Sequence, residues 1–228
     1  MSLKPKKKSD LKKIEEKMKV KASKMESMQH LPPYTMIVSE GIKTEPIYIK
    51  GLVNKVNEKY KNATRNPHIA VYGTGRNTQG LIRFVDSMIE QGKWNHYNKF
   101  WLMYDKDDFP LDNFDNTQFE AEARKKPQMA VAWSNESFEL WLLLHFQEYV
   151  SDNGRQQYIE KLNTFFHYSK AREDLFDVIM EKGSLKDAKR RAKKLYNGFL
   201  KKGEKSPSKM VPATKVYELV EELESYIH

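Results

Sequence analysis

The chain has 228 residues, 39% hydrophobic and 31% charged, with a formal net charge of +9 and no cysteine. This length allows one sizeable core plus an appendage, and the lack of cysteine excludes disulfides and thiolate zinc sites. No apolar run approaches the ~20 residues of a bilayer span, and the lysine-rich start lacks the apolar segment of a secretory signal. A cytoplasmic protein without membrane attachment is expected.

The charge is uneven. Residues 1–30 carry ten lysines against four carboxylates, about two-thirds of the whole excess. An arm of this kind, with Lys6, Lys7 and Lys8 at its densest point, condenses onto polyphosphate by counterion release; a solvated, partly disordered or helical tail is the plainer alternative.

After His30 the texture changes. "YTMIVSEG" (34–41) reads as a buried strand stopped by Gly41. A helix follows from Thr44–Pro46, with Ile49, Leu52, Val53, Val56 and Tyr60 as its apolar stripe. "HIAVYGTG" (68–75) is a second strand, and Leu81, Phe84, Val85, Met88 and Ile89 mark a second helix closed by Gly92. "KFWLMY" (99–104) is the third strand. A Thr117–Glu120 capping box is expected to open a short charged helix. "QMAVAWSN" (128–135) is the fourth strand, and "SFELWLLLHF" is a helix apolar nearly all round, hence buried. Trp94, Tyr97, Phe100 and Trp101 suit packing better than base stacking. Near-continuously apolar strands alternating with helices predict a four-stranded parallel sheet covered on both faces. Beyond about residue 150 only amphipathic helices are expected: "RQQYIEKLNTFF", "AREDLFDVIMEK", "LKDAKRRAKKLYNGFL" and "ATKVYELVEELESYI". The division is thus a basic arm (1–30), an α/β domain (31–150) and a helical extension packed on it (151–228).

Parallel sheets bind ligands beyond the C-terminal ends of their strands. Here those ends carry Glu40; Gly73-Thr74-Gly75-Arg76; Asp105, Asp107 and Asp108; and Ser134-Asn135, with Glu139 in the next helix. Carboxylates from three segments converging at one edge call for a compensating cation. Scattered histidines, none at i,i+4, leave oxygen ligands and hence Mg²⁺ or Mn²⁺. The plainer readings are an acidic surface turn neutralised by Lys106, and a Glu139 that caps its own helix. "GTGRNTQG" lacks the ending of a P-loop and the third glycine of a dinucleotide fingerprint. Lys43 and Arg76 could hold a phosphate at this edge, or be solvated surface charge.

A glutamate closing the first strand with an Asp-x-Asp closing a later one resembles a Toprim domain. "SEGIKTEPIY", "YDKDD" and "SNESFELWLLLHF", with "YSKAREDLF" and "VPATKVYELVEEL" further on, resemble the RloB family over residues 34–225. One departure is "MVPAT", where the family has Asn-Pro-Ser-Thr. The resemblance implies that Glu40 does acid–base work, that Asp105 and Asp107 hold Mg²⁺, and that the protein acts against phage beside an AAA- or ABC-type ATPase. Asp108 and Glu139 join the metal set from placement alone, as does Glu40 in a ligand role. No tyrosine stands at an obvious nucleophile position beside the carboxylates, so hydrolysis of DNA or RNA by water is expected rather than a covalent step. The alternative is a non-catalytic nucleic-acid-binding or regulatory module of a defence ATPase complex.

Overall fold

The computed structural model describes residues 12–21, 31–76, 78–107 and 111–228. Lys6, Lys7, Lys8 and Asp108 lie outside the described residues. Within the arm, residues 12–21 form a helix, α1. Then β1 (Thr35–Ser39), α2 (Thr44–Tyr60), β2 (Ile69–Gly73), α3 (Thr78–Glu90), β3 (Lys99–Asp105), α4 (Leu111–Ala123), β4 (Gln128–Asn135) and α5 (Glu139–Leu143) alternate as the apolar pattern predicts. Gly92 ends the α3 segment at φ +75°, its N–H bonded to the Ile89 carbonyl at 2.8 Å, as a C′ glycine does.

The sheet order is β2-β1-β3-β4-β5, with β1–β4 parallel. The chain leaves β1 toward β2 on one side and leaves β3 toward β4 on the other, so the β1/β3 junction is the switch point where a crevice opens. The pleat sorts the core into two layers. Phe100, Leu102 and Tyr104 of β3 meet Leu81, Val85 and Phe114 of α3 and α4, and Trp94 joins this layer. Trp101 and Met103 point to the opposite face, where α2 packs through Tyr48, Ile49, Leu52 and Val56. Asp105, two residues beyond Met103, therefore leaves the strand on the α2 side.

Four helices after residue 150 complete that second layer: α6 (Gly154–Phe165), α7 (Leu175–Lys182), α8 (Leu185–Lys201) and α9 (Val216–Ile227). Tyr158, Leu162, Leu175, Ile179, Ala188, Val216 and Leu219 share one core with β1 and α2. Ser184 caps α8 by accepting the Asp187 N–H at 3.2 Å. Within the α2-side layer, His145 accepts the Tyr48 hydroxyl at Nε2 (2.9 Å) while its Nδ1 serves the Trp141 carbonyl (3.0 Å). Burial lowers the His145 pKa to about 4, so the ring is a neutral cross-brace.

Four expectations are corrected. The sheet has a fifth strand, β5 (Ala213–Thr214), antiparallel to Ser134–Asn135. Two residues are too short for any period to show; the strand exists because Thr214 bonds the Ser134 hydroxyl (3.0 Å) and Trp133 carbonyl (3.1 Å), covering an otherwise open edge. α4 begins at Leu111 rather than at the Thr117 capping box. Thr117 instead bonds the Asn113 carbonyl at 2.8 Å inside the helix, because burying Phe114 and Ala121 outweighs a local cap. The buried helix after β4 is a single turn and a half, Glu139–Leu143, and α7 starts only at Leu175.

Gly73 shows how tightly the strand-end turns nest. A Cβ there would lie 2.7 Å from the Gly41 carbonyl oxygen and 2.8 Å from Ile42 Cα, both backbone atoms of the turn after Glu40. Gly73→Ala is expected to destabilise the protein by about 1–3 kcal/mol, read as a lower urea midpoint. An unchanged midpoint would mean that this turn yields freely.

Candidate functional site

The β1–β3 ladder runs one residue past the strand, since the Glu40 N–H donates to the Met103 carbonyl at 2.8 Å. This fixes the Glu40 backbone beside the end of β3, where Thr78 at the start of α3 donates its hydroxyl to Glu40 Oε2 (2.9 Å). Asp105, the last residue of β3, accepts the Phe138 N–H on Oδ2 at 3.1 Å. Asp107 turns the chain at φ +41°, a conformation Asp tolerates better than most residues, and its N–H reaches the Glu136 carbonyl at 3.2 Å. Glu139, in the first turn of α5, accepts the Tyr168 hydroxyl on Oε1 at 2.8 Å.

One cation stands among them. Arg155 Nη2 contacts Asp105 Oδ2 at 3.2 Å and also pairs with Asp107, while Nε lies 3.6 Å from Glu139 Oε2. The cleft encloses ≈ 250 Å³ and is lined by Glu40, Lys43, Glu45, Asp105, Asp107, Glu139, Arg155 and Lys170, among others. A larger cavity, ≈ 350 Å³ between α8 and the Leu144–Val150 segment, is mostly apolar, and its carboxylate, Glu148, is paired with Lys194. The acidic chemistry lies in the smaller, polar cleft.

Over residues 35–223 the chain matches the family described as RloB-like protein. It belongs to that family. No curated protein and no solved structure matches it.

In this RloB-like chain, Glu40, Asp105, Asp107 and Glu139 all line the cleft, and so does Lys43. Arg76 is not among the lining residues; its guanidinium lies over the Phe84 ring at 4.9 Å. Lys106 donates to the Asp107 main-chain carbonyl at 3.2 Å. The amide at the start of α5 is capped by Asp105, whereas Glu139 is engaged by Tyr168 and Arg155. Sequence order concealed several contributors. Tyr168 does stand beside a carboxylate, contrary to expectation, but burial raises its pKa and its hydroxyl is spent as a donor. Arg155 and Lys170 come from the C-terminal helical part, and Thr78 from the start of α3. Glu45 lies within "SEGIKTEPIY" but was not among the expected site residues.

Burial dominates the electrostatics. It raises Glu40 to about 7, helped by Asp107 and Glu45 and opposed by hydrogen bonds from Thr78 and the Asp105 backbone. Asp105 is pushed well above the carboxylate range by burial and then by Glu45, Glu139 and Asp107, with Arg155 pulling the other way. Burial also raises Asp107 and Glu45. One guanidinium and the cleft lysines thus under-compensate five carboxylates. Hard oxygen donors in this excess suit Mg²⁺ or Mn²⁺ in chemistry. Among the described residues, however, no three acidic or histidine side chains are grouped as a ready ligand set; Arg155 occupies the middle of the most compact group.

The stability of the protein in EDTA should depend on pH with a defined sign. A carboxyl raised from 4.5 to about 7 by folding favours the folded state while protonated, and that contribution is lost as pH rises through about 7. Thermal melts from about pH 5 to pH 8 should therefore fall, and Glu40→Gln should flatten the decline and melt above wild type at the alkaline end. Parallel curves for the two proteins would show that Glu40 ionises without strain.

Proposed function

We propose that this cleft is the active centre of a Toprim-like, Mg²⁺- or Mn²⁺-dependent nuclease that hydrolyses phosphodiester bonds in DNA or RNA. The observation that carries the reading is the meeting of Glu40, Asp105, Asp107 and Glu139 in one polar cleft at the switch point of the sheet. Asp105, Asp107 and Glu139 would hold the divalent cation, with Glu40 beside them, and the cation would supply positive charge to the phosphate oxygens and acidify water.

The chain's own residues divide the remaining work. Glu40, with a pKa of about 7, is poised to exchange a proton near neutrality. It takes the proton of the attacking water as the new O–P bond forms, and returns it to the oxygen whose ester bond to phosphorus breaks. The Phe138 amide keeps the Asp105 carboxylate oriented. Lys43 and Lys170, both exposed on the cleft wall, favour an anionic substrate. Membership of the RloB-like family extends the proposal to an anti-phage role in the cytoplasm with an AAA- or ABC-type ATPase partner.

Glu40→Gln and Asp105→Asn should each leave the circular dichroism spectrum unchanged. Glu40→Gln should lower cleavage of labelled DNA or RNA with Mg²⁺ or Mn²⁺ by about 10²–10⁴-fold, and Asp105→Asn by at least as much. Cleavage by either variant at the wild-type rate overturns the assignment. Salt-dependent binding that survives EDTA, with no scission by the wild type, would instead favour a non-catalytic binding or regulatory module.

A further inference from the structure

The side chain of Arg155 is placed oddly for a purely structural bridge. A guanidinium that locks a carboxylate does so with two parallel N–H bonds. Here the same atom, Nη2, serves both Asp105 and Asp107. Nε is buried and, among the described residues, has no hydrogen-bond partner, with Glu139 Oε2 left at 3.6 Å. One positive charge is spread thinly over three carboxylates, where an arginine evolved only to brace them would fork onto one or two.

The backbone of Arg155, by contrast, is firmly held. Its N–H donates to Glu136 Oε2 at 2.7 Å, and the preceding Gly154, at φ +77°, brings the chain so close that a Cβ there would lie 2.9 Å from the same oxygen. The Arg155 side chain retains 31% of its surface open to the cleft. A pinned Cα, a long flexible stem and an accessible guanidinium make a swinging cation whose reach stays within the cleft.

We infer that Arg155 is a resident counter-ion that holds Asp105, Asp107 and Glu139 together until a divalent cation takes them, and that it then swings to bind the substrate phosphate. This rests on the nuclease reading of the cleft and adds a competition and a second ligand for Arg155. The two positions of the guanidinium are mutually exclusive, because the carboxylates that it bridges are the proposed metal ligands. Metal and substrate thereby become coupled: Arg155 released by the one is presented to the other. In the absence of metal the same side chain offsets part of the negative charge at the acidic edge.

The test compares full-length wild type, Arg155→Ala and Arg155→Lys. Mn²⁺ affinity, measured by calorimetry without substrate, should be about 5–150-fold tighter in Arg155→Ala, the usual span of coupling between competing interactions, and intermediate in Arg155→Lys. With Mn²⁺ saturating and Glu40→Gln in the background to prevent cleavage, Arg155→Ala should bind a fluorescent oligonucleotide at least about fivefold more weakly. Melting in EDTA should be lowest for Arg155→Ala and should recover more on adding Mn²⁺ than wild type does. Should that variant fail to fold without metal, Arg155→Lys carries the comparison. Equal Mn²⁺ affinity in all three proteins overturns the competition while leaving the metal site standing, and equal oligonucleotide affinity overturns the phosphate role. Mn²⁺ binding to none of the three removes the metal reading itself, and the inference with it.

Discussion

Negative charges taken out of water in company resist ionisation, and the end of the parallel sheet in this protein is organised around that resistance. The β1/β3 switch point brings Glu40 and Asp105 together because the strands are in register, Ser39 beside Met103, so that Glu40 falls within one residue of the level of Asp105 at the end of β3. The pleat then aims them differently: Glu40 is held by Thr78 of α3, while Asp105 points toward α5 and α6. Each carboxylate has a donor of its own. The shared guanidinium of Arg155 spans the group on the α6 side, and its charge is insufficient for all of them. A site with that deficit attracts cations by construction, which is the physical basis of the nuclease proposal.

Much of this was readable from residue order. Near-continuous apolar runs ending in Glu40 and Asp105 mark parallel strands buried on both faces, and the strand-end rule leads directly to the edge where Glu40, Asp105, Asp107 and Glu139 meet. What escaped were features with no periodic signal. β5 is two residues long and exists because β4 needs an edge partner. The Thr117 cap motif was overruled by the burial of Phe114 three residues earlier. Arg155 lies 50 residues from Asp105 in sequence and looks like an ordinary solvated residue at the start of a helix; only the docking of α6 brings it to the sheet. Arg76 failed in the opposite sense: it follows a strand end, yet the nearby Phe84 ring draws it away from the cleft.

The apolar cavity and the polar cleft differ in kind. The one beside α8 is roomier but mostly apolar, whereas the cleft at the switch point is small and crowded with charge. Volume alone would rank the former above the latter. Residue chemistry selects the latter, and membership of the RloB-like family over residues 35–223 spans every group lining it.

The order in which the cleft's parts leave the ribosome has a consequence for the cell. Glu40, Glu45, Asp105, Asp107 and Glu139 are all synthesised before Arg155, Tyr168 and Lys170, and β5, which covers the β4 edge, follows later still at Ala213–Thr214. A nascent chain therefore carries an acidic edge without its counter-ion until α6 docks. If the cleft cuts nucleic acid, a chain stopped before α6 would carry its carboxylates without the Arg155 and Lys170 cations that favour an anionic substrate.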